Sequence, residues 1–390
     1  MNFSLIASFA IILLVLTIGE IISMKTKAFV PSVFVSAVLF LVGFWTFFPK
    51  DLIARGSFAK PIVYVSMYLI LVHMGTLMSL KELLSQWKTV LISLGGVLGI
   101  CLMTLTIGKA FFGWKAVVAG TPPLTGGIVA SILMAETAAK KGLPTVALLA
   151  TCMYIMQGFI GYPISAICLK KEAKRVLIDF KNQKSSPSKS FSIKNNTKKK
   201  LIPPLPKQFQ TPYMILLKLG LVAWIACKIA PIVHINDFVV CLILGVIGCE
   251  LGFLEEQSLN KANAFGFIMT VVMAFIFANL SQATPAMLGK IAIPLFGIII
   301  LGVIGMYIVS VILGKIFGFS KEMAFVCTLT ALYGFPANYI LTHEAIESIC
   351  KNDEEKQYAI DIILPKMLVA GFTTVTIASV IIAGFFVKLL

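Results

Sequence analysis

The sequence predicts an all-α polytopic membrane protein built as two inverted repeats, each of five transmembrane helices plus one re-entrant, broken hairpin. Three observations lead there. Apolar runs of membrane-spanning length recur along nearly the whole chain. One run in each half is interrupted by Gly and Pro. The two halves also match each other in collinear order. Of the 390 residues, 58% are hydrophobic and 13% charged, against roughly 25% charged in soluble domains. A bilayer core of ~30 Å takes about 20 helical residues to cross, and too little polar sequence remains here to cover a soluble core of this size.

In chain order, the first half offers spans at 3–23, 29–48, 61–80, 89–112 and 143–169, with the interrupted stretch 115–139 before the last of them. The second half offers 212–232, 235–254, 262–281, 289–314 and 358–388, with the interrupted stretch at 322–349. The first run lacks a basic n-region and a small-residue cleavage site, so it reads as a membrane helix and not as a signal peptide. The eight cysteines form no CxxC pair and mostly lie in apolar runs, where thiols behave as small hydrophobes.

Three regions follow: a membrane repeat over 1–169, a linker over 170–210 and a second membrane repeat over 211–390. The linker carries twelve basic and two acidic residues and includes SSPSKS and IPPLP, a composition that resists a packed core. Its charge reads as a topology signal that holds it in the cytoplasm, and anionic-lipid or nucleic-acid binding is the weaker alternative. Glu20, Glu250, Asp361 and Lys366 read as residues near span ends, with Asp361 and Lys366 flanking Pro365.

GKAFFGWK at Gly108–Lys115 matches GKIFGFSK at Gly314–Lys321, and LTGGIVASILMAET at Leu124–Thr137 matches LYGFPANYILTHEA at Leu332–Ala345. The offset grows only from 206 to 208 residues. If each interrupted stretch re-enters, each half has five crossings and the repeats are inverted. If each stretch crosses, the repeats are parallel. Lys25, Lys27, Lys81, Lys88, the linker, Lys315 and Lys321 favour the first arrangement, with both termini outside. Lys50, Arg55, Lys60, Lys109, Lys115, Lys140 and Lys141 run against it.

Unpaired backbone is costly in lipid, so a broken helix persists only inside protein or along a wet cavity. Paired breaks in two repeats point to a transporter's central site. In the first, Gly126 and Gly127 permit a tight turn, Pro122 and Pro123 stop the incoming helix, and the restarted helix offers N–H groups to a carboxylate. In the second, Gly334, Pro336 and Asn338 take these roles. Thr125, Ser131 and Thr342 complete the candidate substrate site. Tyr333, Glu136, His343 and Glu344 are weaker ion-coupling candidates. Both glutamates lie ten residues past their turn glycines, ~15 Å along a helix, which places them toward the membrane surface.

Leu124–Lys171, including GFIGYPISAICLKK, and KAFVPSVFVSAVLFLVG at Lys27–Gly43 resemble the bacterial glutamate:sodium symporters, which share their layout with the 2-hydroxycarboxylate transporters. The resemblance implies two inverted five-helix units with Gly-rich hairpins. It also implies transport of an acidic amino acid or dicarboxylate coupled to Na+. The chain departs from that family at Ile128–Val129 and in having one glycine with Pro336 in its second hairpin.

The expected function is therefore secondary active transport of a small organic anion by alternating access in the cell (inner) membrane. A proton-coupled exporter or antiporter of the same fold is the alternative. No Walker A motif supports ATP-driven transport, and an enzyme is not expected, since HExxH and GxSxG motifs are missing and His73, His234 and His343 lie far apart in sequence. The expected partners are the anionic substrate, the lipid bilayer and a second copy of the chain, with no nucleic acid and no organic cofactor.

Overall fold

A computed structural model describes residues 3–77, 80–184, 201–203, 206, 209–233, 235 and 237–390. Among the described residues the regular structure is helical throughout. The main helices are α1 (Leu5–Lys25), α2 (Ser32–Thr46), α3 (Lys60–Gly75), α4 (Trp87–Phe112), α5 (Trp114–Leu124), α6 (Ile128–Lys140) and α7 (Pro144–Lys184). They continue as α8 (Pro212–Val233), α9 (Asp237–Leu251), α10 (Phe265–Ala278), α11 (Pro285–Phe317), α12 (Lys321–Leu329) and α13 (Ala337–Glu347). The last, α14, runs from Asp353–Thr373 through a π-helical turn at Thr374–Ala378 into Ser379–Phe386. A similar π turn, Thr104–Gly108, lies inside α4.

Among these, α1, α4, α7, α8, α10 with its 3₁₀ extension, and α11 are long and apolar enough to cross a bilayer. The chain is a multi-pass helical membrane protein. A helix lies at each expected span, with bounds that agree within a few residues apart from one exception. The fifth expected span ends at 169, whereas α7 continues to Lys184. The first fifteen residues assigned to the linker are therefore helical. Arg175 pairs with Glu172 at 2.6 Å and with Asp179 at 3.1 Å, the i,i+3 and i,i+4 spacings that support an exposed helix. Much of the remaining linker lies outside the described residues.

Packing divides the chain into two compact units that cut across the halves of the sequence. The first comprises Met1–Leu52, Gln86–Phe180 and Phe277–Leu390. At its centre α4 and α11 run antiparallel. Trp87 stacks edge-on to Phe317, and at the other end the Phe112 ring fills the space beside Gly297. Midway the two backbones touch. A Cβ on Gly99 would lie 2.4 Å from the Gly305 carbonyl oxygen, and one on Gly305 would lie 2.2 Å from that of Gly99. α14 opens on an acidic first turn, Asp353, Glu354 and Glu355, capped by Asn352. Both features suit a helix N-terminus.

The second unit comprises Ile53–Ser85 and Lys181–Ile276. There α3 packs on α9 and α9 on α8. Gly75 and Gly245 bring α3 and α9 into backbone contact. Lys218 and Glu255 form an ion pair at 2.6 Å, Tyr68 donates to Asp237, and the His73 Nδ1 accepts from the Leu259 N–H at 3.2 Å.

Candidate binding site at two hairpin tips

Each interrupted stretch is a pair of short helices joined by a glycine turn in the first unit. α5 and α6 meet at Thr125-Gly126-Gly127, where the two glycines have φ of +114° and +92°. The adjacent prolines do not stop α5. Pro122 and Pro123 lie inside its last turn. The stop comes from the glycines, whose positive φ values a side chain would resist. The freed proline carbonyls are used locally. Pro122 O accepts from the Thr125 N–H and hydroxyl at 3.1 and 2.8 Å, and Pro123 O accepts from the Gly126 N–H at 3.2 Å. α12 continues as a 3₁₀ turn to Leu332. After it come Tyr333, Gly334 at φ +63°, Phe335 and a cis Pro336 before α13 begins. The repeat aligns Gly126 with Gly334, and both take positive φ.

The two tips converge on the π turn of α14. A Cβ on Gly126 would come within 3.1 Å of Ala331 O and 3.2 Å of the Val375 Cα. One on Gly127 would meet Val375 O at 2.8 Å and the Ser379 Oγ at 2.9 Å, and one on Gly334 would meet the Val375 side chain at 2.9 Å. The hairpins lie along different parts of α14. α5 and α6 pack on its Ser379–Phe386 segment, and Trp114 at the start of α5 donates to Leu389 O at 3.1 Å. α12 and α13 pack on Asp353–Thr373. Between them lies the π turn, a form of local helix widening frequent at functional sites.

The expected site residues fall into distinct environments. Ser131 donates to Ala150 O at 3.0 Å, which ties α6 to α7. Thr125 and Thr342 are buried and donate to nearby backbone carbonyls. Asn338 is fully buried, and both ends of its amide are engaged. Its Nδ2 donates to Met367 O at 2.9 Å, and its Oδ1 accepts from the Tyr339 N–H at 2.8 Å. Gly371 makes room for that amide, since a Cβ there would lie 2.5 Å from Nδ2. Tyr333 presses on Gly161 of α7 and donates to the Ser165 Oγ at 2.7 Å.

Of the weaker candidates, Tyr333 adjoins the second tip, while Glu136, His343 and Glu344 lie farther along the hairpin arms. Glu136 is exposed. Glu344 accepts from the Ser23 hydroxyl at 3.0 Å and from the Ser32 N–H at 3.1 Å, so it caps the start of α2. His343 stacks on Tyr339 at 4.2 Å, and its Nε2 is buried without a partner. Lys366 lies over the Phe319 ring at 5.5 Å, a cation–π contact, and Asp361 accepts from Gln357.

Three features of the site escape the sequence reading given above. The first is the pair TLTIG and TVTIA at 104–108 and 374–378, which are the two π turns. Each opens on a threonine that meets a hairpin threonine, Thr121 with Thr104 at 2.8 Å and Thr330 with Thr374 at 3.5 Å. Repetition of T-x-T-I before a small residue was the signal available. The second is the seating of both hairpins on the central helices: Leu124 fills the space at Gly302, and Thr328 fills that at Gly96. The third is Gln157 on α7, 1% exposed, with its Oε1 unpartnered.

The fold therefore defines a multi-pass membrane protein with a buried junction of two glycine turns. No protein-family model matches the chain, and no curated protein matches it significantly.

Proposed function

We propose that the chain is a secondary active transporter of a small organic anion, in which two hairpins re-enter the membrane from opposite sides within inverted repeats. The convergence of both glycine tips on the π turn of α14 carries this reading. The hairpin arms hold 11, 13, 9 and 11 residues, so each is about 14–20 Å long. That is short of a ~30 Å hydrocarbon core. Broken backbone at such depth fits a ligand path.

Inversion has its own support. Gly99 and Gly305 are separated by 206 residues, the same offset as the GKAFFGWK and GKIFGFSK copies. Equivalent residues touch reciprocally only on a two-fold axis. Because α4 and α11 are antiparallel, that axis runs across them, as in inverted repeats. Gly96 and Gly302 share the offset, and each receives a hairpin side chain from the other half.

α6 restarts after Gly127 with no side-chain cap, and such a terminus favours a carboxylate. Together with the resemblance to glutamate:sodium symporters, this favours an acidic amino acid or dicarboxylate as substrate and Na+ as coupling ion. The test is uptake of labelled glutamate, aspartate, malate and succinate into proteoliposomes under sodium and proton gradients. Uptake driven by the sodium gradient is expected. Failure of every substrate under both gradients would overturn the reading.

A further inference from the structure

We infer that Gln157 is a substrate-contacting residue that accepts a hydrogen bond from the transported anion, so that the site selects anions bearing an ammonium or hydroxyl group. The inference rests on the transport reading above and adds to it a residue and a selection rule.

The placement of Gln157 follows from its neighbours on α7. Ala150 O accepts from Ser131 of the first hairpin, and the Met153 methyl lies where a Cβ on Gly120 would come within 3.0 Å. Further along, Gly161 receives Leu332 and Tyr333 of the second hairpin, and Ser165 accepts from the Tyr333 hydroxyl. At 3.6 residues per turn, positions 150, 153, 157 and 161 share one face of the helix. Gln157 thus sits one turn from the contact level of each hairpin, on the face that touches both.

Its amide oxygen is buried without a partner. A buried amide oxygen without a partner is unfavourable, and native proteins rarely keep one. Methionine would fill the same volume without that penalty, as its neighbours Met153 and Met156 do. The uncapped start of α6 offers N–H groups to a carboxylate, whereas the Gln157 Oε1 accepts. A ligand satisfying both carries a carboxylate and a separate donor. Amino acids and hydroxy acids do so, and plain dicarboxylates do not. A site whose buried acceptor is left empty by the analogue discriminates strongly against it.

The experiment compares two matched trios in proteoliposomes: glutamate, 2-hydroxyglutarate and glutarate, and aspartate, malate and succinate. Competition against uptake of the best member gives an apparent affinity for each compound. Wild type should favour a donor-bearing member over its plain analogue by at least ~10-fold. Gln157→Met should bring that ratio close to one while still taking up the plain acid. Gln157→Asn, which keeps the amide on a shorter stem, should retain part of the preference, and a thermal unfolding midpoint for each variant in detergent separates misfolding from altered selection. If wild type shows no preference, or Gln157→Met keeps it, the assignment of Gln157 is overturned while transport stands. If wild type takes up no member of either trio, the transport reading falls and this inference with it. If Gln157→Met fails to fold, the Gln157→Asn ratio decides, and an unchanged ratio counts against the assignment.

Discussion

Gly127 has φ of +92° and faces Val375 O and the Ser379 Oγ at distances that leave no room for a side chain. Gly127→Val should abolish transport, because the β-branched side chain both resists that backbone and collides with the π turn. Inserted protein with wild-type uptake would contradict a tight junction. Asn338 invites a different expectation. Its amide spans Met367 O and the Tyr339 N–H, so it fixes α13 to α14 whatever else it does. Asn338→Ala leaves both groups without that partner and should cost about 1–3 kcal/mol of stability, read as a lowered unfolding midpoint in detergent. Of the two aligned glutamates, Glu344 caps α2 while Glu136 is exposed. Glu344→Ala should therefore destabilise by about 0.5–2 kcal/mol and Glu136→Ala by less, measured in the same assay.

At the scale of elements, the α4–α11 crossing depends on Gly99 and Gly305. Gly305→Ala places a Cβ 2.2 Å from a backbone oxygen, which no rotamer change relieves. The helices must separate, at about 1–3 kcal/mol or more, and Gly220→Ala, where a Cβ meets nothing, is the control. The apolar runs made the helices legible in the sequence, and the paired glycines made both breaks legible. Other features were hidden for physical reasons. π turns use the same residues as the α-helix around them, so only the repeated T-x-T-I marked them. The basic stretch after Leu169 has a coil-like composition. Yet its Glu172, Arg175 and Asp179 are spaced to pair on a helix, and α7 continues through them. Gln157 is a single polar residue in an apolar run, and the role proposed for it comes from the two hairpins that contact its helix face. Asn338 was visible as a polar residue near a turn, but its two backbone partners lie on different helices.

For the whole molecule, the proposed inverted arrangement, with five crossings per half, would put both termini on one side of the membrane and the linker on the other. A single cysteine at Ser186, in a cysteine-free background, should resist an impermeant thiol reagent in intact cells and react after permeabilisation. A cysteine at Ser4 should react without permeabilisation. Labelling of the Ser186 site in intact cells would reject this topology. The grouping into two units was not legible in the sequence, because it depends on which helices pair and not on which residues form them. α3 falls with the second unit and α11 with the first, so neither half of the sequence is a unit by itself.

The reciprocal contact of Gly99 and Gly305 has a genetic corollary. In a self-associating ancestor half this length, one codon would have supplied both glycines, and the same interface would have joined two separate polypeptides. Fusion of two such copies would keep that seam while freeing its two sides to diverge. The two halves should therefore still find each other when made apart. Fragments 1–190 and 191–390, expressed together, should assemble and co-purify, and each alone should be degraded, since each carries only one side of the seam.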